Sequence, residues 1–493
     1  MAGDVAPVRL SAVAEALTGH LTVSMFGSDV VVSDVDFDSR TVAPGSLYVA
    51  IRGARADGHD YIPAALERGA AAVVGEVGPG VDVPHLLVDN TRVALGWAAA
   101  RVHRHPSREL HLVGITGTNG KTTVGHMLAA MAPGSGRQMA VIGTVSKNLE
   151  DLAGSPRTTP EASDIQRILR RLADRGQITD VALEVSSHAI DMGRINGSEF
   201  DVVAFTNLSQ DHLDYHHTME EYYTTKARLF AGKWAPQAVI WTDDPWGRRL
   251  ADETALSVIT VGASGECDVR VTYGKEAPDG AEFTLEIAGR SVDVRIALAG
   301  RFNVANAAVA LTCAQLQGWD LDSSVGQLAE MGPVPGRYNT VPNDRGIWVV
   351  VDYAHTPDAI SSVITETRGL VSGRVIAIVG AGGDRDREKR PLMGRALTRA
   401  DVSIVTTDNP RSEDPLTIID QVLSGIPAGH EVTVEPDRRR AIRIALAQAA
   451  SGDAVLILGK GHETGQEFAD RVLAFDDSVV AQQELSRPAE GAS

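Results

Sequence analysis

An apolar run, His111 to Ile115, passes through the glycine-rich turn Gly114-Ile-Thr-Gly-Thr-Asn-Gly-Lys-Thr-Thr123 into a helix from Thr122. Strand, tight turn and helix in that order form the repeating unit of parallel α/β sheets, so few other architectures stay open. The turn is also chemically specific. Gly117 and Gly120 let the backbone approach a phosphate chain, and Thr118, Asn119 and Thr123 complete the loop around it. The helix start aims N–H groups and a positive dipole end at the same place. Lys121 supplies a mobile cation there, and Thr122 a hydroxyl suited to Mg²⁺. The common motif has a glycine five positions before Gly120, and this chain has Ile115. The loop is therefore a variant, and the bland alternative is a glycine-rich turn without a ligand. Lys-Thr at the helix start weighs against that alternative.

At roughly 150 residues per domain, 493 residues allow about three domains. With Lys plus Arg at 46 against 64 Asp plus Glu, the net charge of -18 argues against a general electrostatic grip on nucleic acid or an anionic membrane. Anionic ligands must be held by local devices. The two cysteines, Cys267 and Cys313, are too far apart in sequence for a metal motif. The start of the chain lacks a basic segment followed by an apolar core, and there is no apolar run of about 18 residues, so a cytoplasmic monomer is expected. Lysine is rare, with seven in all.

Periodicity divides the chain into residues 1–107, 108–334 and 335–493. In the first, Ser11 to Leu17, Ile62 to Gly69 and Thr91 to His103 read as helices, and Ser46 to Ile51 and Ala71 to Val74 as strands. The second adds strands at 180–185 and 201–206 and a helix from Met219 to Phe230. An antiparallel flap between about 257 and 299 and a helix from Asn303 to Leu316 follow. Met331-Gly-Pro-Val-Pro-Gly336 interrupts both patterns and is read as a linker. The third unit has strands Ile347 to Asp352, Val375 to Val379, Val402 to Thr406 and Ala454 to Leu458. The fold expected is α/β in three domains. Arg487 to Ser493 is expected to fray.

Groups just past the C-terminal ends of parallel strands converge on one crevice. By that rule Glu184 and His212, each following an apolar strand, can share a Mg²⁺ beside Lys121. For Lys226, flanked by Tyr222, Tyr223, Ala227 and Phe230, a solvated lysine is the bland expectation, and composition does not decide it. Four polar segments follow strands of the third unit: Asp352-Tyr-Ala-His355, Gly380-Ala-Gly-Gly-Asp384, Asp408-Asn-Pro-Arg411 and Gly459-Lys-Gly-His-Glu463. They describe one ligand crevice.

These motifs, with Glu184-Val-Ser-Ser-His188, Asn207-Leu-Ser-Gln-Asp-His-Leu-Asp214 and Asn303-Val-Ala-Asn306, resemble in order and spacing the Mur ligase family over essentially the whole chain. More narrowly they resemble its diaminopimelate-adding members. The resemblance implies three domains: an N-terminal UDP-binding α/β domain, a central P-loop ATPase-like α/β domain and a C-terminal Rossmann-like α/β domain. It implies an ATP-dependent amide ligase that joins diaminopimelate to UDP-N-acetylmuramoyl-L-alanyl-D-glutamate in peptidoglycan synthesis, through an acyl phosphate. Lys226 then matches a lysine carbamylated by CO₂, which turns an ammonium into an anionic oxygen ligand for Mg²⁺. Glu184, His212 and Thr122 match the other metal positions. Asn306, Arg337, Asp352 and His355 match nucleotide contacts. Ser39, Thr158, Thr159, Ser186 and Arg194 match contacts to the UDP-muramoyl peptide. Arg390, Asp408, Asn409, Pro410, Arg411, Gly459 and Glu463 match contacts to the incoming amino acid. Met192 and Asn339 depart from the family pattern.

Arg411 carries the specificity in this reading, because a guanidinium fork suits the carboxylate at the far end of diaminopimelate and repels the ammonium of L-lysine. The alternatives are L-lysine or another diamine as acceptor, a non-catalytic UDP-muramoyl-peptide binding homologue, and a relative such as folylpolyglutamate synthase. The motifs do not separate meso- from LL-diaminopimelate.

Overall fold

The computed structural model describes residues 7–53, 56–149 and 157–487. The expectation for Arg487 to Ser493 therefore lies, beyond Arg487, outside the described residues. Three α/β units follow one another, each on its own sheet.

The N-terminal sheet has five strands in the order Val23–Phe26, His85–Val88, Ala72–Gly75, Ser46–Val49 and Asp34–Asp36, and only its first pair is antiparallel. The helices Leu10–Thr18 and Thr91–Val102 close one face, burying Leu10, Val13, Leu17, Ala94, Leu95 and Ala98. Asn90 starts the second helix by accepting from the N–H of Val93.

The central sheet has nine strands. Its parallel heart is Met139–Ile142, Asp180–Glu184, His111–Thr116, Val202–Phe205 and Gln237–Trp241. These strands are apolar on both faces because helices cover both, which is why they read as unbroken apolar runs. The expected antiparallel flap is made by Val269–Ala277, Gly280–Ile287 and Arg290–Ile296, which form the edge of this same sheet, joined to it through the parallel pair Val261 and Val269. The alternation of Val269, Val271, Phe283, Leu285, Val294 and Ile296 buries one face under the helix Arg301–Leu316. A period of two in the sequence signals a covered face without saying which sheet it extends. The helix expected to Phe230 runs over Met219–Ala227 and tightens into a 3₁₀ turn, Arg228–Phe230.

The third sheet has six strands ordered Asn339–Val341, Trp348–Asp352, Ala454–Leu458, Val375–Val379, Val402–Val405 and Val432–Val434, parallel after the first pair. Behind it the C-terminal helix Asp477–Leu485 is fixed by a fully buried ion pair, Arg438 to Asp477 at 2.6 Å. Arg438 Nη2 also donates to the carbonyl of Leu458, which tethers the strand end that leads into the Gly459 loop. Among the described residues no helix is long and apolar enough to cross a membrane.

Candidate active site

The phosphate loop lies between the strand His111–Thr116 and the helix Lys121–Met131, whose start Gly120 occupies with a φ of +88°. A side chain at Gly120 would stand 2.3 Å from Asn306 Oδ1, so the loop and the helix Arg301–Leu316 touch only because Cβ is missing. Lys121 is folded back, its Nζ donating to the carbonyls of Gly117 and Thr118 at 2.8 Å each. Burial lowers its ammonium below the usual range. Thr118 and Asn119 are braced by the next strand end: Thr118 N donates to Asn207 O, and Asn119 N to Asn207 Oδ1. Thr123 is buried at the helix start.

Lys226 is 1% exposed, which decides against the solvated alternative that composition left open. Its Nζ donates to the Gly117 carbonyl at 3.0 Å and sits 4.8 Å from the Tyr222 ring centre. Burial first, and Lys121 second, push its ammonium well below the ordinary lysine range. Two lysines thus share one carbonyl, and the more buried one favours the neutral amine. His212 adopts the left-handed region, φ +55°. Burial lowers its imidazolium to about 3, so the ring is neutral with a lone pair for a metal. Glu184 is held by a residue the sequence reading missed: Thr144 donates its N–H to Oε1 at 3.0 Å and its hydroxyl to Oε2 at 3.1 Å. Thr144 follows an apolar strand end as Glu184 does, and that position was the available signal. Among the described residues no cluster of three or more His, Cys, Asp or Glu side chains forms a metal cage. Thr122, Glu184 and His212 offer oxygen and nitrogen donors that Mg²⁺ accepts, whereas an ammonium at Lys226 beside Lys121 would repel it.

Asp211, also missed, ties the central unit to the third. It accepts from Lys389 Nζ at 3.2 Å and lies 3.9 Å from His355 Nε2. Burial alone would raise its carboxyl, but His212, Lys389 and His355 outweigh that and hold it below the usual range. Burial lowers His355 to about 4. Arg337, just past the linker, donates to Thr122 Oγ1 at 3.0 Å and stacks over Tyr353. Asp352 accepts from the N–H groups of Tyr338 and Ala354, fixing the turn before His355. Between the units lies a cavity of about 420 Å³ lined by Asn119, Gly120, Phe302, Asn306, Arg337 and Asp352.

On the N-terminal side, Thr159 donates to the Glu184 carbonyl at 2.7 Å and accepts from Ser186 N. Ser186 Oγ caps its helix by accepting from Ala189 N. Thr158 is partly exposed, and its hydroxyl lies 3.2 Å from that of Thr144, to which it can donate. Arg194 donates to the Thr159 carbonyl and pairs with Glu161 at 3.2 Å, while its Nη2 contacts the sulfur of Met192. These residues adjoin Glu184. Ser39 is half-buried in the turn between Asp34–Asp36 and Ser46–Val49. The strand leading into that turn is bound to the central unit by Arg167, which pairs with Asp34 at 3.1 Å.

In the third unit Asp408, Asn409 and Pro410 follow the strand Val402–Val405, and Gly459 and Glu463 follow Ala454–Leu458. Asn409 Nδ2 donates to Glu463 Oε2 at 2.6 Å, and the buried Lys460 bridges Asn409 and Glu463. A side chain at Gly459 would meet Asp408 Oδ2 at 2.6 Å. Arg411 stands at φ +51° with its side chain 20% exposed. Arg390, expected to contact the incoming amino acid, stands beside the Gly382 carbonyl. Its side chain is fully buried, paired with both oxygens of Glu413 and bonded to Gln421 and the Gly382 carbonyl, so it supports the loop from behind. Asn339 lies on the edge strand, pairing with Val351.

The chain matches the family models described as Mur ligase family, catalytic domain over residues 31–103, Mur ligase middle domain over 115–314, and Mur ligase, glutamate ligase domain over 336–461. It is 42% identical over 465 residues to the UDP-N-acetylmuramoyl-L-alanyl-D-glutamate--2,6-diaminopimelate ligase of Geobacillus thermodenitrificans, covering 92% of this chain and 95% of that one. With the Streptomyces coelicolor protein of the same name it shares 40% over 501 residues, covering 98% and 99%. A solved structure of a ligase with that name aligns with TM-score 0.67 at 34% identity, covering 93% of this chain and 97% of the other. The Mycobacterium tuberculosis folylpolyglutamate synthase, at 18% identity and TM-score 0.60, shares the fold. The chain belongs to the Mur ligase family.

Proposed function

We propose that this chain is an ATP-dependent amide ligase that joins diaminopimelate to the D-glutamyl carboxylate of UDP-N-acetylmuramoyl-L-alanyl-D-glutamate. The observation that carries the reading is the inter-domain crevice in which the phosphate loop meets Arg337 and Asp352 of the third unit, with Arg337 bonded to Thr122. Relatives bearing the diaminopimelate ligase name match nearly the full chain.

ATP enters the cavity beside Asn306 and Arg337 with its phosphates over Gly117 to Thr123. Lys121 leaves its loop carbonyls to meet the γ-phosphoryl oxygens. Thr122, Glu184, His212 and a carbamylated Lys226 would hold Mg²⁺, which supplies charge neutralisation for phosphoryl transfer when bound. The carbamate forms when the neutral Lys226 amine attacks CO₂ and releases a proton. Thr158, Thr159, Ser186 and Arg194 position the acceptor peptide, and Ser39 lies on the nucleotide side. The D-glutamyl carboxylate attacks the γ-phosphorus and ADP leaves, giving an acyl phosphate. The unprotonated amine of diaminopimelate attacks the acyl carbon, loses its proton, and phosphate departs with the bond to carbon broken. Activation is required because a carboxylate is a poor electrophile.

An oxygen-18 label in the D-glutamyl carboxylate tests this route. One labelled oxygen is expected in the released phosphate for each tripeptide formed. ATP hydrolysis with unlabelled phosphate, or with no amide product, would overturn the reading and favour a binding protein that has lost turnover.

A further inference from the structure

Arg411 is gripped from several sides before any ligand arrives. It occupies the left-handed region, φ +51°. Its N–H donates to the carbonyl of Glu467 at 3.0 Å. Its Nη1 donates to the Gly383 carbonyl at 2.8 Å, and its Nε donates to Glu467 Oε2 at 3.0 Å. Glu467 belongs to the hairpin Gly465–Glu467 and Val472–Ala474, and its own N–H donates to Asn409 Oδ1 at 2.9 Å. Backbone and side chain of one residue therefore hold both Asn409 and Arg411. A guanidinium has five N–H groups, and two are taken. Both hydrogens of Nη2 and one of Nη1 are left, since among the described residues nothing accepts from Nη2.

We propose that Glu467 is a positioning residue that sets acceptor specificity. By occupying Nε it leaves the terminal nitrogens of Arg411 as the donors for a second carboxylate, that of the incoming amino acid. The inference rests on the proposed function. A free arginine turns about its long side chain and accepts a carboxylate on either edge, whereas one tied at Nε and Nη1 is organised in advance for a single approach. Glu467 is half exposed, so its effect is modest and lies in orientation more than in charge.

The test compares Glu467→Ala and Glu467→Gln, with wild-type turnover of diaminopimelate measured first. Failure of that turnover refutes the proposed function and leaves the positioning role without its premise, so the two failures are distinguishable. Given wild-type turnover, the alanine variant is expected to raise KM for diaminopimelate about fivefold, with kcat and the KM for ATP within about twofold. The glutamine variant keeps an oxygen acceptor for Nε and is expected to restore the KM. Its melting temperature checks that the hairpin is intact. An unchanged or lowered KM in the alanine variant would overturn the proposal, the latter making Glu467 a competitor of the ligand. A glutamine variant as impaired as alanine would overturn it too, since charge alone would then be the determinant.

Discussion

Gly383→Ala isolates the amino-acid pocket from the phosphate site. A Cβ there would lie 1.8 Å from the carbonyl oxygen of Pro410, and contacts under 3.0 Å force something to shift, so Pro410 must retreat by about 1.2 Å. The obstacle is backbone, which cannot swing aside as a side chain would. Pro410 stands between Asn409, whose carbonyl accepts from Gly383 N at 2.8 Å, and Arg411, whose Nη1 donates to the Gly383 carbonyl. All three move together. A misplacement of about 1 Å in a positioning group costs on the order of 100-fold, and kcat/KM for diaminopimelate is expected to fall by about that factor. The KM for ATP is expected to stay within about twofold, because the phosphate loop belongs to another sheet. Phosphate release measured against each substrate in turn gives both numbers. Gly369→Ala is the control, with nothing within 4 Å of its added Cβ. A Gly383→Ala enzyme within about threefold of wild type for diaminopimelate would refute the packing argument, as would equal losses for both substrates.

Lys226 gives a second prediction: burial pushes its ammonium well below the ordinary lysine range, which favours the amine that CO₂ needs, so purging CO₂ is expected to reduce activity and bicarbonate to restore it. A carbamate carbon should appear by NMR after loading with labelled bicarbonate, and be missing in Lys226→Met; its absence from the wild type would contradict the assignment. Arg390→Ala strips a buried partner from Glu413, and a loss of about 3 kcal/mol or more in unfolding free energy is expected by denaturant titration. The pair also fixes an acid limb. Arg390 lowers Glu413 from the ordinary 4.5 to about 2, so its stabilisation is complete above 4.5 and lost as the pH falls through 2. The stability gap between wild type and variant should therefore narrow over that window, and a constant gap would contradict the sign.

The parallel strands were legible because both faces are covered, leaving runs such as Val375–Val379 uniformly apolar. The strand Gln237–Trp241 and the helix Ala162–Arg175 carry weaker signals: the first is short and directly follows Pro236, and the second carries Arg167, Arg170 and Arg171 among its apolar positions. The chemistry at strand ends was legible from topology, but its supports were not. Asp211 and Lys389 lie 178 positions apart, and no local pattern pairs them. Lys226 shows the limit most clearly, because polar and aromatic neighbours on one helix turn do not report which elements pack over it. Glu467 was missed since it acts through Arg411, in a hairpin too short for a periodic signal.

The central claim, acceptor choice by the charge Arg411 presents, is tested most directly by one ratio. It is kcat/KM for diaminopimelate over kcat/KM for L-lysine, measured on the wild-type chain with the UDP-muramoyl dipeptide and ATP saturating. A carboxylate matched to an arginine against an ammonium facing it should differ by several kcal/mol, and a ratio of about 1,000 or more is predicted. A ratio near one, or below it, would contradict the account.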